Sequence, residues 1–270
     1  MRTRLDGQRL DDIALRRIEA TCADPDPDRW PNGVLVGHSG GKDSVVVAHL
    51  MARAGVPHRL VHNLTTADAP ETVRFVRSLP DVEINRPAQT MWALIRRKGL
   101  PPRRNMRYCC ECQKEREDKG CLVVTGVRAA ESVRRSKRHV VEACYTNRNW
   151  FFHPIIAWTT ADVWQYIREH DLPYCPLYDE GFSRVGCVLC PMVSHPDAVR
   201  AEVDRWPRLA AAWERAVKAT FDDDALDRFD DPEDYWHWWL YERRHSRKQT
   251  PGQKYLFDSD PDTTAPEGRP

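Results

Sequence analysis

Residues 33–44 constrain the fold more than any other stretch. Gly33-Val34-Leu35-Val36 is a short apolar run that leads through Gly37 and His38 into Ser39-Gly40-Gly41-Lys42-Asp43-Ser44. From Ser44 to Ala54 apolar residues recur at helical spacing, with Val46, Val47, Leu50 and Met51 on one side. A buried strand, a glycine turn and a helix in succession place backbone N–H groups around an anion at a helix N-terminus. The two glycines let the main chain approach that anion closely. Lys42 adds positive charge, and the hydroxyls of Ser39 and Ser44 are further donors. This is not the usual nucleotide P-loop, which needs Gly at position 36 and Ser or Thr at position 43. The chain has Val36 and Asp43 there.

The surrounding sequence continues the alternation of strand and helix. His58–His62, Val82–Asn85 and Leu122–Val127 read as strands. Pro70–Ser78, with proline tolerated at its start, and Thr90–Lys98 read as helices. Strands alternating with helices predict a mostly parallel, doubly wound α/β sheet covered on both faces. After Thr159-Thr160-Ala161-Asp162, a good helix start, the pattern changes. A cysteine-bearing loop spans Pro173–Pro191, and helices are expected over Pro196–Arg205, Pro207–Thr220 and Pro232–Arg244. The expected organisation is a helical segment over 1–30, a nucleotide-binding unit with a cysteine cluster over 31–192, a helical extension over 193–248 and a disordered tail over 249–270. Trp236, Trp238 and Trp239 pack against the core or stack on bases.

Net charge is +1, yet between Arg96 and Arg138 fourteen Lys/Arg face five Asp/Glu. Such an excess suits either a solvated basic face or a phosphate-rich ligand such as nucleic acid. The N-terminus lacks the apolar stretch of a signal peptide, and no apolar run approaches membrane-spanning length, so the expected compartment is the cytoplasm. Nine cysteines are many for that compartment and read as metal binding or redox chemistry. Cys22 and Cys121 stand apart, as small core side chains.

Ser39–Ser44 is similar to the SGGxDS signature of the adenine nucleotide alpha-hydrolases, the PP-loop ATP pyrophosphatases. Within them the chain resembles the phosphoadenosine phosphosulfate (PAPS) reductase family. Arg107-Tyr108-Cys109-Cys110 with Lys114 resembles its first cysteine segment. Thr125–Arg134 resembles its GxRxxES anion-binding segment, Pro154–Trp164 its P-I-x-x-W…D-V-W stretch, and Leu177–Pro191 its second cysteine segment. The resemblance covers residues 30–192. It implies a Rossmann-like fold and an adenine nucleotide, ATP or PAPS, cleaved at the α-phosphate. It implies nucleotide contacts from Ser39, Gly40, Gly41, Lys42, Asp43, Ser44, Gly126, Arg128, Ser132 and Arg134. Lys42, Asp43 and Arg128 are the expected catalytic residues, with Asp43 either ligating Mg²⁺ or orienting the loop. Thr65-Thr66-Ala67-Asp68 either meets the base or ribose or caps a helix.

The tandem Cys109-Cys110 followed by Cys187-x-x-Cys190 resembles the 4Fe–4S pattern of adenylylsulfate reductases. Four thiolates suit structural zinc as well. Cys187 and Cys190 lead the ligand candidates, then Cys109, then Cys110 or Cys175, with Cys112 and Cys144 weaker. Sulfonucleotide reductases act through a cysteine in a C-terminal tail, and no cysteine follows Cys190. The expectation therefore moves to ATP-dependent sulfur transfer resembling the DNA phosphorothioation sulfurtransferases. The expected partners are a nucleic acid on segment 128–138 and a sulfur donor such as a cysteine desulfurase. Sulfite-releasing PAPS or adenylylsulfate reduction is the alternative, and a non-catalytic nucleotide-binding regulator of a mobile element is another.

Overall fold

The computed structural model describes residues 1–3, 7–22, 26–115, 119–144, 148–193, 195–222 and 228–242. Six strands form one sheet: β1 Val34–Gly37, β2 Arg59–Asn63, β3 Val82–Asn85, β4 Leu122–Val124, β5 Val141–Cys144 and β6 Asn149–Phe152. Their spatial order is β3-β2-β1-β4-β6-β5. All neighbouring pairs are parallel except β5 with β6. The doubly wound reading holds, with an antiparallel edge formed by two strands that the sequence pattern did not reveal. The chain winds outward from β1 to β3 and returns to place β4 on the other side of β1. The strand order reverses between β1 and β4, and in such sheets ligands bind beyond the strand carboxyl ends at that point.

Helix α1 is Leu10–Cys22, α2 Lys42–Ala54, α3 Pro70–Ser78, α4 Met91–Lys98, α5 Tyr108–Gln113, α6 Val133–Ser136, α7 Thr160–Glu169, α8 Pro196–Arg205, α9 Pro207–Lys218 and α10 Pro232–His237. Alternation along the strands sends Val36, Leu122, Val124 and Phe152 into one core, with Ala14 and Ile18 of α1, Leu50 and Met51 of α2, and Val163 and Tyr166 of α7. Leu35, Val61 and Val123 face the opposite side. Cys22 and Cys121 are buried, as a core role requires. Thr159 caps α7 reciprocally with Asp162, as the sequence suggests. The strand expected over Leu122–Val127 stops at Val124, because the next four residues leave the ladder and turn toward the β1 loop. The helix expected over Pro232–Arg244 ends at His237 and continues as a π-helical turn, Trp238–Glu242. The tail expected to be disordered lies outside the described residues.

The extension after residue 193 is packed onto the α/β layer. Trp213 of α9 is 1% exposed, and its indole Nε1 donates to the Val188 carbonyl at 3.0 Å. Its ring stacks on Trp239 at 4.9 Å and meets Trp92 of α4 edge-on at 5.2 Å. Trp239 donates to the Pro102 carbonyl at 2.8 Å. Trp238 and Trp239 are therefore core residues, and only Trp236 of the three is partly exposed. Trp213→Ala should cost about 3–5 kcal/mol through the cavity it leaves. Trp213→Phe, which keeps a ring but abandons the Val188 carbonyl, should cost about 1–3 kcal/mol. Urea denaturation followed by circular dichroism measures both.

Candidate functional site

The loop after β1 sits at the point where the strand order reverses. Gly40 has φ 78°, and a Cβ there would come within 2.6 Å of Thr72 Cγ2 on α3, so glycine is required on two counts. The Ser44 hydroxyl donates to the Gly41 carbonyl at 2.7 Å, and Ser39 Oγ lies 3.3 Å from Ser44 Oγ. His38 Nδ1 accepts the Gly40 N–H at 3.3 Å. Burial, with His62 nearby, pushes the His38 pKa down to about 4, so the ring is neutral and free to accept. His38 thus shapes the loop, a role no sequence pattern signalled.

Asp43 ties this loop to the segment after β4. Its Oδ1 accepts from Arg128 Nε at 2.7 Å, and its Oδ2 lies 3.1 Å from Lys42 Nζ. Arg128 is 2% exposed and also donates through Nη1 to the Trp158 carbonyl (3.4 Å) and Thr160 Oγ1 (3.3 Å). Gly126 permits the approach, since a Cβ there would lie 2.8 Å from the Asp43 carbonyl carbon. The sequence places Arg128 on a phosphate. The structure places it beneath the loop, on Asp43 and the start of α7. Both oxygens of Asp43 face cations, so an Mg²⁺ ion on Asp43 would share an oxygen with one of them.

A residue without an assigned role completes the loop. The Tyr178 hydroxyl accepts the Lys42 N–H at 3.0 Å, and Lys42 Nζ lies 5.5 Å from the centre of the Tyr178 ring. Tyr178 belongs to the second cysteine segment, so the anion loop and the cysteines share one connection.

Cys109, Cys110, Cys187 and Cys190 line a single cavity, with Thr65, Lys114 and Trp213. Cys187 and Cys190 are aimed by a strained turn. Leu189 between them has φ 55°, and its N–H donates to Glu202 Oε2 at 2.6 Å. Thr65 Oγ1 lies 3.2 Å from Cys187 Sγ, and the Val188 N–H donates to the Ala67 carbonyl at 2.8 Å. The Thr65–Asp68 turn therefore holds a cysteine. Burial pushes the Cys187 thiol up to about 11, against the opposing pull of Lys114. The Lys114 ammonium is in turn raised, chiefly by Cys187 and further by Asp68, Cys190 and Cys110. The Cys110 thiol is pulled below its ordinary range by a hydrogen bond from Cys109 and by the cations Lys114 and Arg107.

Cys175 is excluded from this group. It is fully buried, with its sulfur 3.8 Å from Thr72 Oγ1 on α3. Neither Cys112 nor Cys144 lines the cavity. Among the described residues no three His, Cys, Asp or Glu side chains converge on one point as around a single metal ion. Ser132 caps the short α6 by accepting the Arg135 N–H at 3.2 Å. Residues 131–139 are exposed, with Arg135 paired to Glu131 and Arg138 to Glu142. Ser132 and Arg134 thus stand on an exposed rim, while Ser39–Ser44, Gly126 and Arg128 come together at the sheet edge.

Residues 33–193 match the phosphoadenosine phosphosulfate reductase domain. The chain belongs to this family. It is 31% identical over 195 residues to a phosphoadenosine 5′-phosphosulfate reductase of Alkalilimnicola ehrlichii, covering 65% of this chain and 79% of that one. It is 29% identical over 203 residues to an uncharacterized protein of Methanocaldococcus jannaschii, covering 68% of this chain but only 41% of the relative. A second Methanocaldococcus jannaschii protein is matched at 27% identity over 50% of its length, so the chain spans about half of these two relatives. The crystal structure of a PAPS reductase from Candida auris superposes with a TM-score of 0.46 at 19% identity, over 69% of this chain and 97% of that one.

The Asp43–Arg128 pair yields a measurable expectation. Asp43→Asn leaves a buried guanidinium without its counter-charge and should cost about 3–5 kcal/mol of stability. Arg134→Ala, on the exposed rim, should stay within about 0.5 kcal/mol of wild type. Chemical denaturation of the two variants side by side checks the contrast.

Proposed function

We propose that this protein is an ATP-dependent sulfurtransferase-like enzyme that cleaves its nucleotide between the α- and β-phosphates and releases pyrophosphate. One observation carries the reading: Tyr178 ties the anion loop to the segment bearing Cys187 and Cys190. An activating site and a sulfur site are thereby held side by side. The amides of Gly40–Lys42 and the Ser39 and Ser44 hydroxyls hold pyrophosphate, with Lys42 balancing its charge. Arg128 acts through Asp43, fixing the loop from below. An acceptor oxygen attacks the α-phosphorus and the bond to pyrophosphate breaks. The terminal sulfur of a donor protein's persulfide then attacks the activated acceptor and AMP leaves; a second thiol cleaves the resulting acceptor–S–S–donor bond, releasing the thiolated acceptor and leaving the donor as a disulfide. Arg134 and Lys137 on the exposed rim fit the phosphates of a nucleic-acid acceptor.

The cysteine cavity supports an iron–sulfur cluster as the resident group. Four thiols along the walls of a single cavity are a donor set that suits such a cluster. Cys109, Cys110, Cys187 and Cys190 would hold it, with Lys114 offsetting thiolate charge. When bound, it supplies an iron that carries or orients sulfur.

A second reading, sulfonucleotide reduction, is favoured by the names of relatives such as the Alkalilimnicola ehrlichii protein. It requires a cysteine nucleophile within reach of the bound nucleotide.

Wild-type protein should release pyrophosphate from ATP, and Lys42→Ala should slow this about 10²-fold. Sulfite release from PAPS in the presence of thioredoxin, without pyrophosphate from ATP, would replace this reading with the second. Anaerobically purified protein should contain iron and sulfide, lost in Cys187→Ser and kept in Cys175→Ser. Colourless, zinc-loaded protein would remove the cluster.

A further inference from the structure

Next to the cysteine cavity lies another pocket, open to solvent, to which neither the anion loop nor the thiol group assigns a use. Cys187 lines both. Its other walls include Phe182, Arg184, Val185, Glu202 and Trp206. Glu202 is the one carboxylate in this lining, and it is occupied by the Leu189 N–H. Arg184 is exposed and folds back along its own segment, with Nη2 3.9 Å from where a Cβ on Gly186 would stand. It makes no ion pair with any described residue.

The segment carrying Arg184 is anchored on both sides. The Tyr178 oxygen that receives the Lys42 N–H also bonds the Val185 backbone. Val185 Cγ2 lies 3.6 Å from the position a Cβ on Gly41 would take. Two residues on, Cys187 is held by Thr65 and Val188 by Ala67. Arg184 is therefore an exposed guanidinium, without an ion pair among the described residues, carried on a segment that is anchored to the anion loop on one side and to the thiols on the other. A planar fork of donors at such a place matches a phosphate or sulfate oxyanion. Phe182 and Trp206, with ring centres 5.2 Å apart, give the same cavity an apolar wall beside that anion.

We propose that Arg184 and this cavity form an oxyanion subsite for the second substrate, gripping a phosphate or sulfate group of the acceptor while the loop holds the nucleotide. This rests on the reading of the loop as the nucleotide site. The oxyanion has two sources, a sulfonucleotide or the backbone of a nucleic acid, and the experiment separates them. Wild type, Arg184→Ala and Arg184→Lys are compared for binding of ATP and adenylyl sulfate by equilibrium dialysis. A fluorescein-labelled single-stranded oligonucleotide is followed by anisotropy across a salt series.

Arg184→Ala should leave ATP affinity unchanged and weaken one of the other two ligands about tenfold. Arg184→Lys, which keeps the charge without the fork, should fall between. Loss confined to adenylyl sulfate identifies a sulfonucleotide. Loss confined to the oligonucleotide, with a salt slope smaller by about one, identifies a nucleic-acid phosphate. Wild-type affinity of Arg184→Ala for both ligands, or failure of wild type to bind either, overturns the subsite. If wild type fails to bind ATP yet shows Arg184-dependent anion binding, the loop reading falls and the subsite stands.

Discussion

The carboxylate of Asp43 is the interaction on which the rest of the site depends. It lies on the first turn of α2, and its partner Arg128 comes from the far side of the reversal in strand order. Two crossovers of the chain are thereby pinned at one point beyond the sheet edge. Arg128 continues to the Trp158 carbonyl and Thr160, so the start of α7 is fixed by the same guanidinium. A charge this buried is tolerable because it is paired with a carboxylate and hydrogen-bonded through Nε and Nη1. Gly126 is the steric condition for the pairing, since a side chain there would collide with the Asp43 backbone.

That arrangement gives Arg128 a structural role beside the one its motif suggests. Its Nε meets a carboxylate and its Nη1 a carbonyl and a hydroxyl, which leaves the two Nη2 donors for a ligand. Through Asp43 it sets the loop. Arg184, on the segment reached through Tyr178 and Val185, is a further cation with no ion pair among the described residues. In the sequence it is one arginine in a loop, and its value comes only from the segment that holds it.

The extent to which the sequence disclosed this follows from where each constraint resides. The strand, glycine turn and helix over 34–54 are local, so pattern alone located them. The Thr159–Asp162 cap was equally readable. β5 and β6 escaped because they are four residues long, lie at an antiparallel edge and carry little alternation, with Cys144 paired to Asn149 at one end. Spacing left five cysteines in contention. Folding separates Cys175 from the rest because residues 176–178 make a 3₁₀ turn that commits its sulfur to Thr72. Tyr178 and His38 carry no sequence signature, since what matters is the amide each one meets.

The shared connection through Tyr178 has a mechanical consequence. Its hydroxyl accepts from the Lys42 amide, at the N-terminus of α2 where an anion would gather donors. The same residue is packed edge-on against Trp164 of α7 and opens the loop that ends in Cys190. A nucleotide phosphate that recruits the Lys42 N–H must therefore compete with the Tyr178 oxygen. One hydrogen bond thus joins the loop to the segment that carries Arg184 and Cys187, Thr65 and Ala67 hold that segment from the other side, and the strained Leu189 turn sets the direction of the sulfurs within it.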